Sequence, residues 1–238
     1  MAYAAAMATA FVAGATGYTG REVVACLIRR GLKPIAHVRP DSPRASEWRS
    51  HFSSMGAIVD HTPWEAGAMR AAMIAHAPMA TFALLGTTRR REKETGGAAS
   101  YEAVDIGLTL LLLEATQAVV PPPRFVYLSA AGVTDASRGA YLKARATVEA
   151  RVRASGLPFT IARPSFITGP DRDEDRTGER MAAGAVDAGL AVLSALGARK
   201  LRARWGSTTG SLLAEALVRA SLDPGAAGRV LESEQLRA

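Results

Sequence analysis

Cysteine, lysine, aromatic side chains and long apolar runs are all scarce in this chain, and each scarcity excludes something. Cys26 is the only cysteine, so neither an internal disulfide nor a cysteine-based metal cluster can form. It falls in a helix-patterned stretch and reads as buried packing, not as a reactive thiol. Aromatics make up 6% of the residues, which leaves the core to Ala, Val, Leu and Ile. The apolar stretch Leu108 to Leu113 is far short of the ~20 residues that a membrane-spanning helix needs. Met1 to Ala10 is small and apolar but has no charged region ahead of a proper apolar core, so it does not read as a signal peptide. A cytoplasmic location with no membrane contact is expected. His37, His51, His61 and His76 lack metal-ligand spacing, and no metal is expected.

The chain has four lysines among 29 basic residues, so its formal charge of +7 rests on arginine. An excess of this kind can mark an anionic partner. Here the arginines are spread along the chain. The two basic clusters, Arg89 to Arg91 and Arg199 to Arg204, lack interleaved aromatics and any nucleic-acid motif, so nucleic acid is not the expected partner. With 48% hydrophobic and 21% charged residues, 238 residues suffice for a folded core. One domain over residues 1–238 is expected.

Along the chain, short apolar runs alternate with helix-period stretches. Thr9 to Ala13 reads as a strand, and Gly20 to Arg30 as a helix carrying Val23, Val24, Leu27 and Ile28, closed by Gly31. Strands follow at Pro34 to Val38, Ala57 to Val59, Met79 to Leu85, Phe125 to Leu128 and Phe159 to Ala162. Helices are expected within Arg39 to Ser54 and over Trp64 to Ala77, Ser100 to Ala118 and Gly139 to Ala154. This alternation predicts a Rossmann-type α/β fold with a doubly wound parallel sheet. Past Pro164 the rhythm breaks: a charged loop from Asp171 to Arg180, helices over Met181 to Leu196 and Ser211 to Ser221, then a short strand at Val230 to Glu232. Residues from about 165 to 238 are expected to form a small extension that covers the cleft on the substrate side.

The strongest signal is Gly14-Ala15-Thr16-Gly17-Tyr18-Thr19-Gly20, between the first strand and the first helix. The first glycine permits the tight turn, the second lets the backbone approach a pyrophosphate, and the third lets helix and strand pack closely. The free N–H groups at the helix start then bind the phosphates. All seven residues are candidate cofactor contacts. An acidic residue commonly ends the second strand where NAD is bound. This chain has His37-Val38-Arg39-Pro40 there. Arg39, with Arg44 nearby, suits the 2′-phosphate of NADP(H), which is favoured over NAD(H); Asp41, two residues on, argues the other way. Gly86, Thr87 and Thr88 follow the fourth strand, at the carboxyl end where ligands sit, and join the cofactor candidates with Pro164.

These residues resemble the atypical short-chain dehydrogenases, in particular their NmrA-like and HIV-Tat-interacting-protein-like branches. The resemblance is carried by Val12 to Gly20, Leu85 to Arg89, Tyr127 to Gly132, Tyr141-Leu142, Arg163-Pro164 and the segment Asp171 to Glu179. It implies a catalytic Ser, a Tyr and a Lys four residues after that Tyr. The first two roles fall on Ser129, which would hold a substrate oxygen, and Tyr141, which would exchange its proton. The third falls on Arg145, since Lys143 lies on the opposite side of a helix. Arg145 can bind ribose hydroxyls and stabilise a phenolate, but it stays protonated and cannot relay a proton. Two readings therefore stand. One is an NADP(H)-dependent oxidoreductase acting on a small carbonyl or alcohol. The other is a non-catalytic dinucleotide sensor acting through a protein partner, as the NmrA-like branch implies.

Overall fold

Short runs of small and branched apolar residues become the strands of one parallel sheet in the computed structural model, which describes residues 7–86, 100–168 and 207–237. In chain order the elements are β1 (Thr9–Ala13), α1 (Tyr18–Arg29), β2 (Lys33–His37), α2 (Ala45–Ser54), β3 (Ile58–Asp60), α3 (Ala66–His76) and β4 (Ala80–Ala83). A π-helical segment, Tyr101–Leu108, runs on into α4 (Thr109–Gln117), followed by β5 (Arg124–Leu128), α5 (Ala140–Ala154) and β6 (Phe159–Arg163). A two-stranded pair of β7 (Ile167–Thr168) and β8 (Thr208–Thr209) precedes α6 (Gly210–Leu222) and β9 (Arg229–Glu232). The seven main strands lie in the order β3-β2-β1-β4-β5-β6-β9, and every recorded pairing is parallel.

Both faces of the sheet are covered, because alternate strand residues serve different layers. Ala10, Val12, Ala36, Phe82 and Val126 pack with α1, α2 and α6 through Val23, Leu27, Phe52, Leu213 and Leu217. Phe11, Ile35, Ala83, Phe125 and Tyr127 pack on the other side with Met69, Met73, Leu112, Val148 and Val152 from α3, α4 and α5. This is the doubly wound fold expected from the alternating pattern. Gly31 closes the first helix at φ +73°, as a terminal glycine should.

Three differences from the sequence expectation have physical causes. The run Met79 to Leu85 yields only Ala80–Ala83 as strand, because the chain turns away after Leu84 to pass the glycine turn. The helix expected from Ser100 begins with two π-wound turns, its end capped by the Ser100 hydroxyl, which accepts from the Ala103 N–H at 3.1 Å. The β7/β8 pair escapes sequence reading because two-residue strands carry no periodicity. The Met181 to Leu196 helix and the Asp171 to Arg180 loop lie outside the described residues. Among the described residues, no helix is long and apolar enough to cross a membrane.

Candidate functional site

Strand order reverses between β1 and β4, and this switch point opens a crevice at the carboxyl ends of the strands. The glycine turn lies in that crevice, and Gly14 and Gly20 leave no room for a side chain. Gly14 adopts φ +82°, and a Cβ there would meet the Leu84 carbonyl oxygen at 2.6 Å. A Cβ on Gly20 would collide with the Gly14 carbonyl oxygen and approach the Ala15 Cα to 2.8 Å. Gly17 is exposed and stands at the mouth, its N–H donating to the Gly14 carbonyl at 3.0 Å. No side chain caps α1 and its first turn carries no acid, so the positive end of the helix meets the crevice without a built-in anion. A backbone cradle beneath an uncapped helix fits a pyrophosphate. Within the turn, Ala15 and Thr19 are buried and Thr16 is half-buried. Tyr18 reaches sideways: its hydroxyl donates to the Thr168 carbonyl at 3.2 Å and its ring lies against Gly210.

Beyond the end of β2, Arg39 is half-buried and its guanidinium pairs with Asp41 at 3.3 Å. Arg44 pairs with Glu47 at 2.7 Å and lies 5.0 Å from the centre of the Trp48 ring, with Arg21 of α1 at 5.8 Å from the same ring. Trp48 thus gathers Arg21 and Arg44 beside the first turn of α1. Sequence reasoning named Arg39 and Arg44 but not Arg21 and Trp48, which lie beside them; an arginine directly after the last glycine of the turn was the available signal. Behind this edge, His76 meets Asp60 at 2.8 Å, and Thr62 donates to the same carboxylate through its N–H and hydroxyl. Burial alone would raise the Asp60 carboxyl, but these bonds hold it down at about 2, so it braces the loop after β3 as an anion.

On the opposite side of the switch point, the three residues assigned to chemistry meet different fates. Tyr141, at the start of α5, keeps 37% of its surface exposed, and the Arg145 guanidinium lies 5.3 Å from its ring centre. Arg145 itself points inward. One terminal nitrogen donates to the Leu85 carbonyl (3.2 Å), the Tyr127 hydroxyl (3.1 Å) and the Leu128 carbonyl (2.9 Å), while the other meets Asp105 at 2.8 Å. Burial opposes the charge, yet the oxygens of Tyr127, Tyr141 and Asp105 raise the guanidinium above its ordinary value. Burial likewise pushes the Tyr127 phenol up to about 12 against the pull of Arg145, so Tyr127 stays neutral. The expected ribose-binding cation is thus tied to the ends of β4 and β5 by partners within the protein. Lys143 is exposed on the far face of α5, as its spacing implies.

Ser129 is buried, and its hydroxyl donates to Glu149 at 2.6 Å. Glu149 also receives Arg163 through two bonds of 2.9 and 2.6 Å and Arg153 at 2.7 Å. The serine is thereby committed to a structural carboxylate. Pro164 is buried, and its carbonyl accepts the Ala131 N–H at 2.9 Å, which stitches the turn after β5 to the end of β6. Gly86 is exposed on the crevice floor, where an added Cβ would lie 2.9 Å from an Arg145 nitrogen. Thr87 and Thr88 lie outside the described residues. Asp105 and Glu149 were missed from sequence. Asp105 is a lone carboxylate in the apolar run Ala103 to Leu108, and Glu149 shares a helical stripe with Tyr141 and Arg145 at four-residue steps.

Comparison with known proteins agrees with this geometry. A family described as NAD(P)H-binding matches residues 14–192. No curated protein matches the chain. Among solved structures, a Bacillus halodurans protein assigned as an NAD-dependent epimerase/dehydratase superimposes with a TM-score of 0.67 at 16% identity, covering 97% of this chain and 98% of the other. UDP-glucose 4-epimerase from Brucella ovis, in complex with NAD, gives 0.66 at 16% identity, with 94% and 76% covered. The Bordetella bronchiseptica enzyme WbmF, in complex with NAD+, gives 0.64 at 16% identity, with 97% and 76% covered. The cradle at the switch point and the family match together make this chain a member of the NAD(P)H-binding family, and its cofactor a nicotinamide dinucleotide.

Proposed function

We propose that the chain is an NADP(H)-dependent oxidoreductase that converts a small carbonyl to an alcohol or the reverse, with Tyr141 as the proton-exchanging group. The observation that carries the reading is Tyr141 itself: a part-exposed phenol beside a fixed guanidinium, on the side of the switch point away from Arg39. When bound, the nicotinamide would supply or accept the hydride. Tyr141 would give its proton to the carbonyl oxygen in reduction and take it back in oxidation, with the Arg145 guanidinium fixed 5.3 Å from its ring centre. The pyrophosphate would rest on the glycine turn, and the 2′-phosphate would meet Arg39 with Arg21 and Arg44 near. Arg39 is held from that task only by an exposed pair with Asp41, which is worth about 0–1 kcal/mol and breaks readily.

A second reading has its own support. Ser129 and Arg145 are both engaged by internal partners, and this suits an NmrA-like sensor that binds the dinucleotide and signals through a protein partner without chemistry. Tyr141→Phe separates the two. On the enzyme reading it lowers turnover of a carbonyl substrate at least ~100-fold while NADPH affinity stays within about threefold. Unchanged turnover would remove Tyr141 from the mechanism, and absence of turnover across a carbonyl panel despite tight NADPH binding would favour the sensor. For the cofactor, calorimetric titration should show NADPH binding more tightly than NADH. Arg39→Glu should weaken NADPH binding by roughly 10- to 100-fold, as expected for a lost charged hydrogen bond, and NADH binding far less. Equal losses for the two would sink the 2′-phosphate assignment.

A further inference from the structure

Arginine at position 145 is a permanent cation, and the protein has buried a carboxylate against it. The Asp105 and Arg145 side chains are 0% and 7% exposed at 2.8 Å separation. A buried pair of this kind often stabilises a fold no better than apolar residues of similar size, so stability alone gives no reason for it. Its position does. Arg145 grips the carbonyls of Leu85, two residues past β4, and Leu128, the last residue of β5, and lies directly beneath exposed Gly86. With the pyrophosphate on α1 and the adenosine ribose near Arg39, the β4–β5 side of the switch point is what remains for the nicotinamide half. On that placement the ion pair would lie under that half.

We propose that Asp105 and Arg145 set which redox form of the dinucleotide this site accepts. The inference rests on the dinucleotide-binding reading above. The oxidised nicotinamide ring carries a positive charge and the reduced ring none. An uncompensated guanidinium beneath the ring would repel the oxidised form selectively. Asp105 cancels that charge, so the floor is electrically neutral and both forms enter. The carboxylate is needed here because arginine, unlike lysine, cannot shed its proton to relieve the repulsion.

The test is a charge cycle read as the ratio of the NADP+ and NADPH dissociation constants, measured by calorimetry. Asp105→Asn leaves a net positive floor and raises the ratio, by roughly tenfold for a unit charge acting through an effective dielectric of about 20 with solvent above it. Arg145→Gln leaves a net negative floor and lowers the ratio by a similar factor. The double variant returns it to within about threefold of the wild-type value. If the two single variants leave the ratio unchanged, whatever happens to overall affinity, or shift it in the same direction, the pair is packing and the proposal falls. Should Asp105→Asn not fold, Arg145→Gln and the double variant still give distinct predictions, a lowered ratio and a near wild-type one. Binding of neither form by the wild-type protein would instead overturn the dinucleotide reading, and this inference with it.

Discussion

Gly20→Ala is expected to abolish NADPH binding, with a loss of at least ~100-fold in affinity, and to destabilise the fold by about 2 kcal/mol. The atoms that the new Cβ would meet are the Gly14 carbonyl oxygen and the Ala15 Cα, both backbone, with no flexible side chain to yield. Relief must come from moving the first turn of α1 away from the end of β1. Overpacking of that kind costs about 1–3 kcal/mol. It also misaligns the N–H groups that form the phosphate cradle, so binding suffers more than stability. Gly210→Ala is the informative control. Its Cβ would meet the Tyr18 ring at 2.5 Å, and that ring can turn aside at the cost of its bond to Thr168. Calorimetry with NADPH and thermal unfolding of both variants measure the two effects. Near-normal affinity in Gly20→Ala would mean that the dinucleotide does not use this turn.

The glycine turn was readable from sequence because its chemistry is backbone chemistry at fixed local spacing. The same holds for the sheet: the strands and helices that build it are 3 to 15 residues long, and the layers follow from their periods. What could not be read is which polar side chains face inward at the carboxyl edge. Arg145 was found by its offset from Tyr141, but its partner Asp105 stands forty positions earlier in a π-wound stretch, where one extra residue per turn changes which side chains face the core. A helical wheel drawn at 3.6 residues misplaces such a residue. Ser129 is the converse case. The family resemblance gave it the task of holding a substrate oxygen, and the side chain is instead drawn inward by Glu149, twenty residues later. Long-range charge pairing decided both, and no local pattern reports it. Trp48 shows the same limit on the adenosine side, where one ring gathers arginines from α1 and the β2–α2 loop.

Glu149→Gln is expected to lower stability by about 3 kcal/mol at neutral pH, the low end of the 3–5 kcal/mol typical when one partner of a buried ion pair is removed. Glu149 is 1% exposed and joins Ser129, Arg153 and Arg163, while Arg163 bonds Glu232 as well. The low end applies because Arg153 is substantially exposed and its share is screened by water. At about 2–4 °C per kcal/mol for a protein of this size, unfolding should fall by roughly 10 °C. The pH dependence identifies the cause. Burial alone would raise the Glu149 carboxyl, but the bonds from Arg163 and Ser129 hold it below its ordinary value. A depressed carboxyl stabilises the fold fully above its unfolded pKa, and that contribution fades as pH falls through the folded value. The gap between wild type and variant should therefore be constant from pH 8 to about 6 and narrow below about pH 4, where the unfolded-state carboxyl takes up its proton while the folded one still resists. A gap equally large at pH 3 and pH 7 would show that shape and hydrogen bonding, not charge, make Glu149 the brace between α5 and β6. In that case Ser129 would be held by packing as much as by the carboxylate, and its hydroxyl could be released for substrate at little electrostatic cost.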